Sequence, residues 1–180
     1  YVIVDTGSND TTPSVIKTYW DKKNETLPEK YKVKGKVLFS VFTNFGESRT
    51  EALNHAYSTT KCKWLLFLDA DMCLSETGEQ HALTENPISK VERIKKELEG
   101  IHNNIIALKQ KSGSLEWWNT RLSRTKHKIK CVGVTHEYYD TQNDPFPVYN
   151  MKSIFINDIG DGGCKDNKYS RDILLLTEGI

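Results

Sequence analysis

The sequence predicts an α/β fold, a three-layer sandwich on a mainly parallel central sheet. Three observations carry this expectation: apolar runs at residues 1–4, 37–41 and 64–68, helix-like stretches between them, and turn formers at the exit of each run. At 180 residues one core suffices, so a single domain over 1–180 is expected, with 1–74 as its ligand-binding half and 75–180 as the half facing a second substrate.

The first strand, Tyr1-Val-Ile-Val4, stops at Asp5-Thr-Gly-Ser-Asn-Asp10, a cluster of turn residues. Pro13 after Thr12 suits the opening of a helix running to Trp20, because proline at the first helical position gives up no needed donor. The charged stretch 21–36 reads as loop, 37–41 as the second strand, and Asn44-Phe-Gly46 as its exit. Ala52, Leu53, Ala56 and Tyr57 place an apolar face on a helix over 48–58, and 64–68 is the third strand, ending at Asp69. Farther on, Val91, Ile94 and Leu98 mark a helix ending at Gly100. A strand at 105–108 continues to a turn at Ser112-Gly113, 131–134 is a short strand, and 168–176 is helical. No internal repeat is present. The opening at Tyr1, inside a strand, suggests that residues are missing upstream.

Composition narrows the function. Lys and Arg total 25 against 24 Asp and Glu, so no global field favours nucleic acid or an anionic membrane. The longest apolar run, 64–68, is too short to span a bilayer. Cys62, Cys73, Cys131 and Cys164 lack zinc-type spacing, and a chain of this length needs no disulfides; four reduced thiols and a reducing compartment such as the cytoplasm are expected.

Asp69-Ala-Asp71 sets two carboxylates at the end of a buried strand, where an extended backbone would point both the same way. Carboxylates suit hard cations such as Mn2+ or Mg2+, and a diphosphate brings further oxygens. Turn formation and capping are the plainer roles for such a pair. Asp5, Arg49 and the Asp69/Asp71 pair all fall at strand ends or a following helix start, positions that in an open α/β sheet converge on one crevice.

Here the chain resembles family 2 glycosyltransferases. Val4-Asp5-Thr-Gly-Ser-Asn-Asp10 is similar to their Asp-Asp-Gly-Ser-x-Asp pattern, with Thr6 replacing the second Asp. Asn44-Phe-Gly-Glu-Ser-Arg49, followed by Leu53 and Ala56, is similar to their Gly-x-x-x-Ala-Arg-Asn-x-Gly helix, with Gly46 and Arg49 kept, and Leu66-Phe-Leu-Asp-Ala-Asp-Met72 to their Asp-x-Asp segment. The resemblance spans about the first half of the chain and implies a GT-A fold lacking its first strand and helix. It implies that Asp5 holds a uracil-type base, Asp69 the ribose, Asp71 the metal bridging the diphosphate, and Arg49 the nucleotide. A turn cap for Asp5 and a solvated helix charge for Arg49 are the alternatives; Asp10 is assigned to capping.

Gly133-Val-Thr-His136-Glu137 resembles a Gly-x-x-His-Glu segment of a subset of these enzymes, following Arg121-Leu-Ser-Arg124. Glu137 is the candidate base for the acceptor hydroxyl. His136 is the alternative for proton transfer or metal ligation, or a loop residue packed on Tyr138. Residues 157–171 combine glycines, carboxylates and cations: Lys168 or Arg171 would neutralise a departing diphosphate, and Asp158 would add a metal oxygen, unless this is an ordinary turn before a helix. Trp117 and Trp118 offer a platform for an acceptor sugar or fill the core.

The expected activity is therefore metal-dependent transfer of a sugar, in the hexosyltransferase class, from a nucleotide-diphosphate sugar such as a UDP-sugar to a carbohydrate, lipid or protein hydroxyl with inversion. One rival is a haloacid-dehalogenase-type phosphohydrolase, with Asp69 and Asp71 as nucleophile and acid/base and Gly160-Asp161-Gly162 with Asp166 as its later motif. Cys73 stands where that family carries Thr or Val, and the Asp5 and Arg49 motifs go unexplained. A non-catalytic sugar-nucleotide or carbohydrate-binding module is the other rival.

Overall fold

The computed structural model describes residues 1–76, 87–141, 143–160 and 168–179. In chain order the elements are β1 (Val2–Asp5), α1 (Thr12–Thr26), β2 (Lys36–Phe39), α2 (Phe45–Thr59), β3 (Trp64–Leu66), β4 (Met72–Ser75), α3 (Pro87–Gly100), β5 (Ile105–Ser112), β6 (Leu115–Arg124), β7 (Lys130–Val132), β8 (Tyr138–Asp140), β9 (Tyr149–Asp158) and α4 (Lys168–Glu178). They form two compact units: Tyr1–Lys61 with Lys130–Asp140 and Arg171–Ile180, and Cys62–Ile129 with Thr141–Ser170.

In the first unit the strand–helix–strand reading of residues 1–41 is realised. β1 and β2 pair in parallel, Val2 opposite Lys36, joined through α1, which continues past Trp20 to Thr26. The Trp20 ring stacks on Tyr1 with centroids 5.2 Å apart. Asn24 closes the segment behind the helix: its amide donates to the Val33 carbonyl and accepts from the Val33 N–H, each at 2.8 Å. The Asn44 side chain caps α2 by accepting the Glu47 N–H at 2.8 Å.

The mainly parallel three-layer sandwich is not what forms. The third apolar run does not extend the β1–β2 sheet; β3 pairs antiparallel with β6, and the second unit holds a curled, half-barrel sheet of mixed orientation, ordered β3-β6-β5-β9-β4. Only β5 and β9 run parallel within it. The physical reason lies in the connections. Gly113, at φ 58, makes the tight turn that folds β6 straight back on β5, so those strands must be antiparallel. The sheet curls where registers slip: one shift falls between Ile106 and Ala107 against β6, another between Leu108 and Lys109 against β9. Ile105 to Leu108 are all buried; such a run marks a central strand covered on both faces, whichever way its neighbours run.

One face of this sheet carries the core: Ile106, Leu108, Leu122, Ile154 and Ile156, with Ile94 and Leu98 of α3 and Met72 and Leu74 of β4 packed against it. No helix among the described residues is long and apolar enough to cross a membrane.

Candidate functional site

The candidate residues fall into two groups, one in each unit. In the second unit the Asp-x-Asp segment leaves β3 at Leu66, and the Phe67 N–H still bonds to the Arg121 carbonyl. The extended pair expected there does not form. The Met72 N–H donates to the Asp69 carbonyl at 3.1 Å, so Asp69 and Asp71 occupy the first and third positions of a turn. That turn leads into β4, whose first residue, Met72, pairs with Asp158 of β9; the Ile159 N–H bonds to the Asp71 carbonyl at 3.0 Å. Asp158, distant from Asp71 in sequence, is thereby one step away across the ladder.

A buried polar network links Asp158 to Asp69. Gln110 Nε2 donates to Asp158 Oδ2 at 3.0 Å, Gln110 Oε1 accepts from Asn119 Nδ2 at 3.1 Å and from Arg121 Nη2 at 3.0 Å, and Arg121 Nη1 stands 3.7 Å from Asp69 Oδ2. Gln110 is 3% exposed and Arg121 4%. The network lies where the apolar face runs out: Ile106, Leu108 and Gln110 alternate along β5, and Ile154, Ile156 and Asp158 along β9. Neither Gln110 nor Asn119 is expected from a motif, and Arg121 is legible only as part of the Arg-Leu-Ser-Arg segment. The readable signal is Gln110 itself, a polar residue at the inward position of an apolar alternation. Among the described residues no three His, Cys, Asp or Glu side chains stand close enough to hold a metal ion by themselves. Trp117 lies opposite Gln110, while Trp118 lies opposite Lys109, whose ammonium is 5.9 Å from the Trp118 ring centre. Adjacent strand residues face opposite sides, so the two indoles do not form one platform.

In the first unit the beginning of α2 docks on the segment after β7. The Phe45 N–H bonds to the Val134 carbonyl at 3.2 Å and the Gly46 N–H to the Gly133 carbonyl at 3.1 Å, while Thr50 Oγ1 donates to the Cys131 carbonyl and accepts its N–H. This brings Arg49, one turn into the helix, against Glu137: Nη1 and Oε1 are 2.7 Å apart and both side chains are largely buried. The Arg49 guanidinium is also 5.3 Å from the Phe45 ring centre, and that of Arg171 in α4 is 4.9 Å from the same ring. Arg171 bonds the adjacent Asp172 carboxylate through Nε and Nη2. Arg49 and Arg171, singled out separately by sequence, thus both face Phe45, which sequence reasoning misses, and Glu137 joins them through Arg49. His136 precedes Glu137 with φ 51, a left-handed conformation. Lys168, which belongs to the second unit, is exposed at the first turn of α4.

Asp5 is buried at the end of β1, and its Oδ1 accepts the N–H groups of Gly7 at 2.9 Å and Ser8 at 2.8 Å. Those bonds, Ser8's foremost, hold its carboxyl below the usual carboxylate range. The turn-capping role is therefore real. Asp10 accepts the Thr12 N–H at 2.9 Å, the structural role assigned to it. Of the glycine loop, residues 161–167, including Asp161, Cys164 and Asp166, lie outside the described residues.

No protein-family model matches the chain, and no curated protein matches it.

Proposed function

We propose that the chain is a metal-dependent glycosyltransferase that moves a sugar from a nucleotide-diphosphate sugar, a UDP-sugar, to an acceptor hydroxyl with inversion. The observation that carries the reading is the polar end of the second unit's core face. Two carboxylates far apart in sequence, Asp69 and Asp158, are joined there through a buried amide and a buried guanidinium, and Asp71 shares the turn with Asp69. Burying such groups costs stability that apolar side chains of similar size would not.

The donor set is all oxygen, which suits Mn2+ or Mg2+. Asp71 and Asp158 would hold the ion, diphosphate oxygens completing a shell that the protein alone does not close. When bound, such a cation neutralises charge on the diphosphate. Asp69 is assigned to the ribose and Asp5 to the base, as the motif resemblance implies. As the motif resemblance implies, Glu137 is assigned as the base that takes the acceptor hydroxyl's proton while the acceptor oxygen bonds to the anomeric carbon and the carbon–oxygen bond to the diphosphate breaks. Arg49, Arg171 and Lys168 supply positive charge for the nucleotide and its diphosphate.

The test is slow hydrolysis of donor sugars in the absence of acceptor. UDP-sugars should be hydrolysed with Mn2+ or Mg2+ and not with chelator, and Asp71→Asn should lose the metal dependence. Hydrolysis of simple phosphate esters with no action on sugar nucleotides would replace the reading by a phosphohydrolase, and metal-dependent binding without any turnover by a binding module.

A further inference from the structure

We propose that Gln110 is a positioning residue that aims the Asp158 carboxylate, and that Arg121 and Asn119 act through it; the inference rests on the metal-site reading above. A side-chain amide has a donor end and an acceptor end, and the surroundings of Gln110 admit only one orientation. Its Oε1 faces Arg121 Nη2 at 3.0 Å and Asn119 Nδ2 at 3.1 Å. A guanidinium can only donate, so the amide oxygen must lie there. Nε2 is thereby turned to Asp158 Oδ2 at 3.0 Å, and a carboxylate accepts what Nε2 offers. Both ends of the amide agree, and Asp158 is held by one oxygen with the other left to be presented to ligand.

Two observations separate this arrangement from simple core filling. Gln110 interrupts an apolar alternation that a leucine would continue, in a strand whose preceding inward residues, Ile106 and Leu108, are fully buried. Arg121 is left incompletely served: its Nε is buried without a hydrogen-bond partner among the described residues, and its approach to Asp69 is an ion pair at 3.7 Å. Stability alone selects for closed buried networks.

The experiment is calorimetric titration of UDP with and without Mn2+, on wild type, Gln110→Met, Asn119→Ala and Asp158→Asn. Methionine keeps the volume of Gln110 and removes the donor. Gln110→Met should weaken Mn2+-dependent UDP binding by about 10–100-fold, as loss of a group orienting a metal ligand does, and leave Mn2+-free binding unchanged. Asn119→Ala should cause a smaller loss of the same selective kind, and it decides the matter if Gln110→Met does not fold. Unchanged Mn2+-dependent binding in both variants, with Asp158→Asn impaired, overturns the inference and leaves the metal site standing. An equal fall in Mn2+-dependent and Mn2+-free binding assigns Gln110 to structure alone. A wild type without any Mn2+ dependence removes the metal site and the inference with it.

Discussion

Asp5 and Glu137 are both carboxylates near backbone turns, yet their surroundings set different tasks. Asp5 is buried and bonded by the N–H groups of Ser8 and Gly7, which lower its pKa in the folded chain. A carboxyl whose folded pKa lies below its unfolded value of about 3.9 stabilises the fold fully above that value. The contribution is lost as pH falls through the folded pKa. Asp5→Asn keeps an acceptor for the turn and removes the charge, so its unfolding free energy should fall less steeply below about pH 4 than that of wild type. Asp5→Ala, which leaves both N–H groups unserved, should cost about 1–3 kcal/mol at pH 7. Urea unfolding across pH reads both, and an identical acid limb in Asp5→Asn and wild type would remove the carboxylate from the account. Glu137 instead meets a guanidinium at 2.7 Å. Glu137→Gln should leave UDP affinity intact and slow sugar transfer by ~10²–10⁴-fold. Normal transfer by that variant, with turnover abolished in His136→Ala, would move the proton to His136.

At the level of elements, the meeting of Arg49 with Glu137 depends on two glycines. A side chain on Gly46 would run into the Gly133 carbonyl oxygen, and Gly133 itself sits at φ 111, with the Glu137 Cα 3.2 Å from where a Cβ would lie. Gly133→Ala should therefore destabilise the fold by more than about 1 kcal/mol. Gly46→Ala should also push the start of α2 off its two backbone hydrogen bonds and lower turnover through the displaced Arg49. Chemical denaturation and kinetics check the pair, and wild-type stability in Gly46→Ala would show that the approach is not tight. α2 is legible because its main signal is local, the apolar face of Ala52, Leu53, Ala56 and Tyr57; its start is not, since Asn44 to Gly46, read as a strand exit, instead cap and open the helix at Phe45. β9 is harder to see. Its inward alternation breaks where residues 152–154 intervene between Met151, opposite Leu108, and Phe155, opposite Lys109, and periodicity cannot be read across an inserted stretch. β4 and β8, at four and three residues, are too short to announce themselves.

For the whole molecule, the apolar runs identify which residues are buried but not which strands they join. Pairing of β3 with β6, and of β4 with β9, is decided by contacts between residues distant in sequence, which is why the parallel sheet expected from the first three runs gives way to a curled mixed one. The same long-range pairing sets Asp158 beside the Asp69–Asp71 turn. That juxtaposition predicts how stability of the entire chain responds to ligand. A species that binds only the folded protein stabilises it according to its occupancy, by ~2.7 kcal/mol at a concentration a hundredfold above its Kd, which for a chain of this size raises Tm by about 5–10 °C. UDP with Mn2+ should produce such a rise, and UDP with chelator a much smaller one. GDP and dTDP should fall short of UDP under the same conditions. Asp71→Asn should abolish the Mn2+-dependent increment, because an amide keeps the shape of the carboxylate and loses the charge that holds a hard cation. Equal increments in Asp71→Asn and wild type would place the cation elsewhere, and a rise with Mn2+ alone that UDP does not enlarge would separate metal binding from the nucleotide.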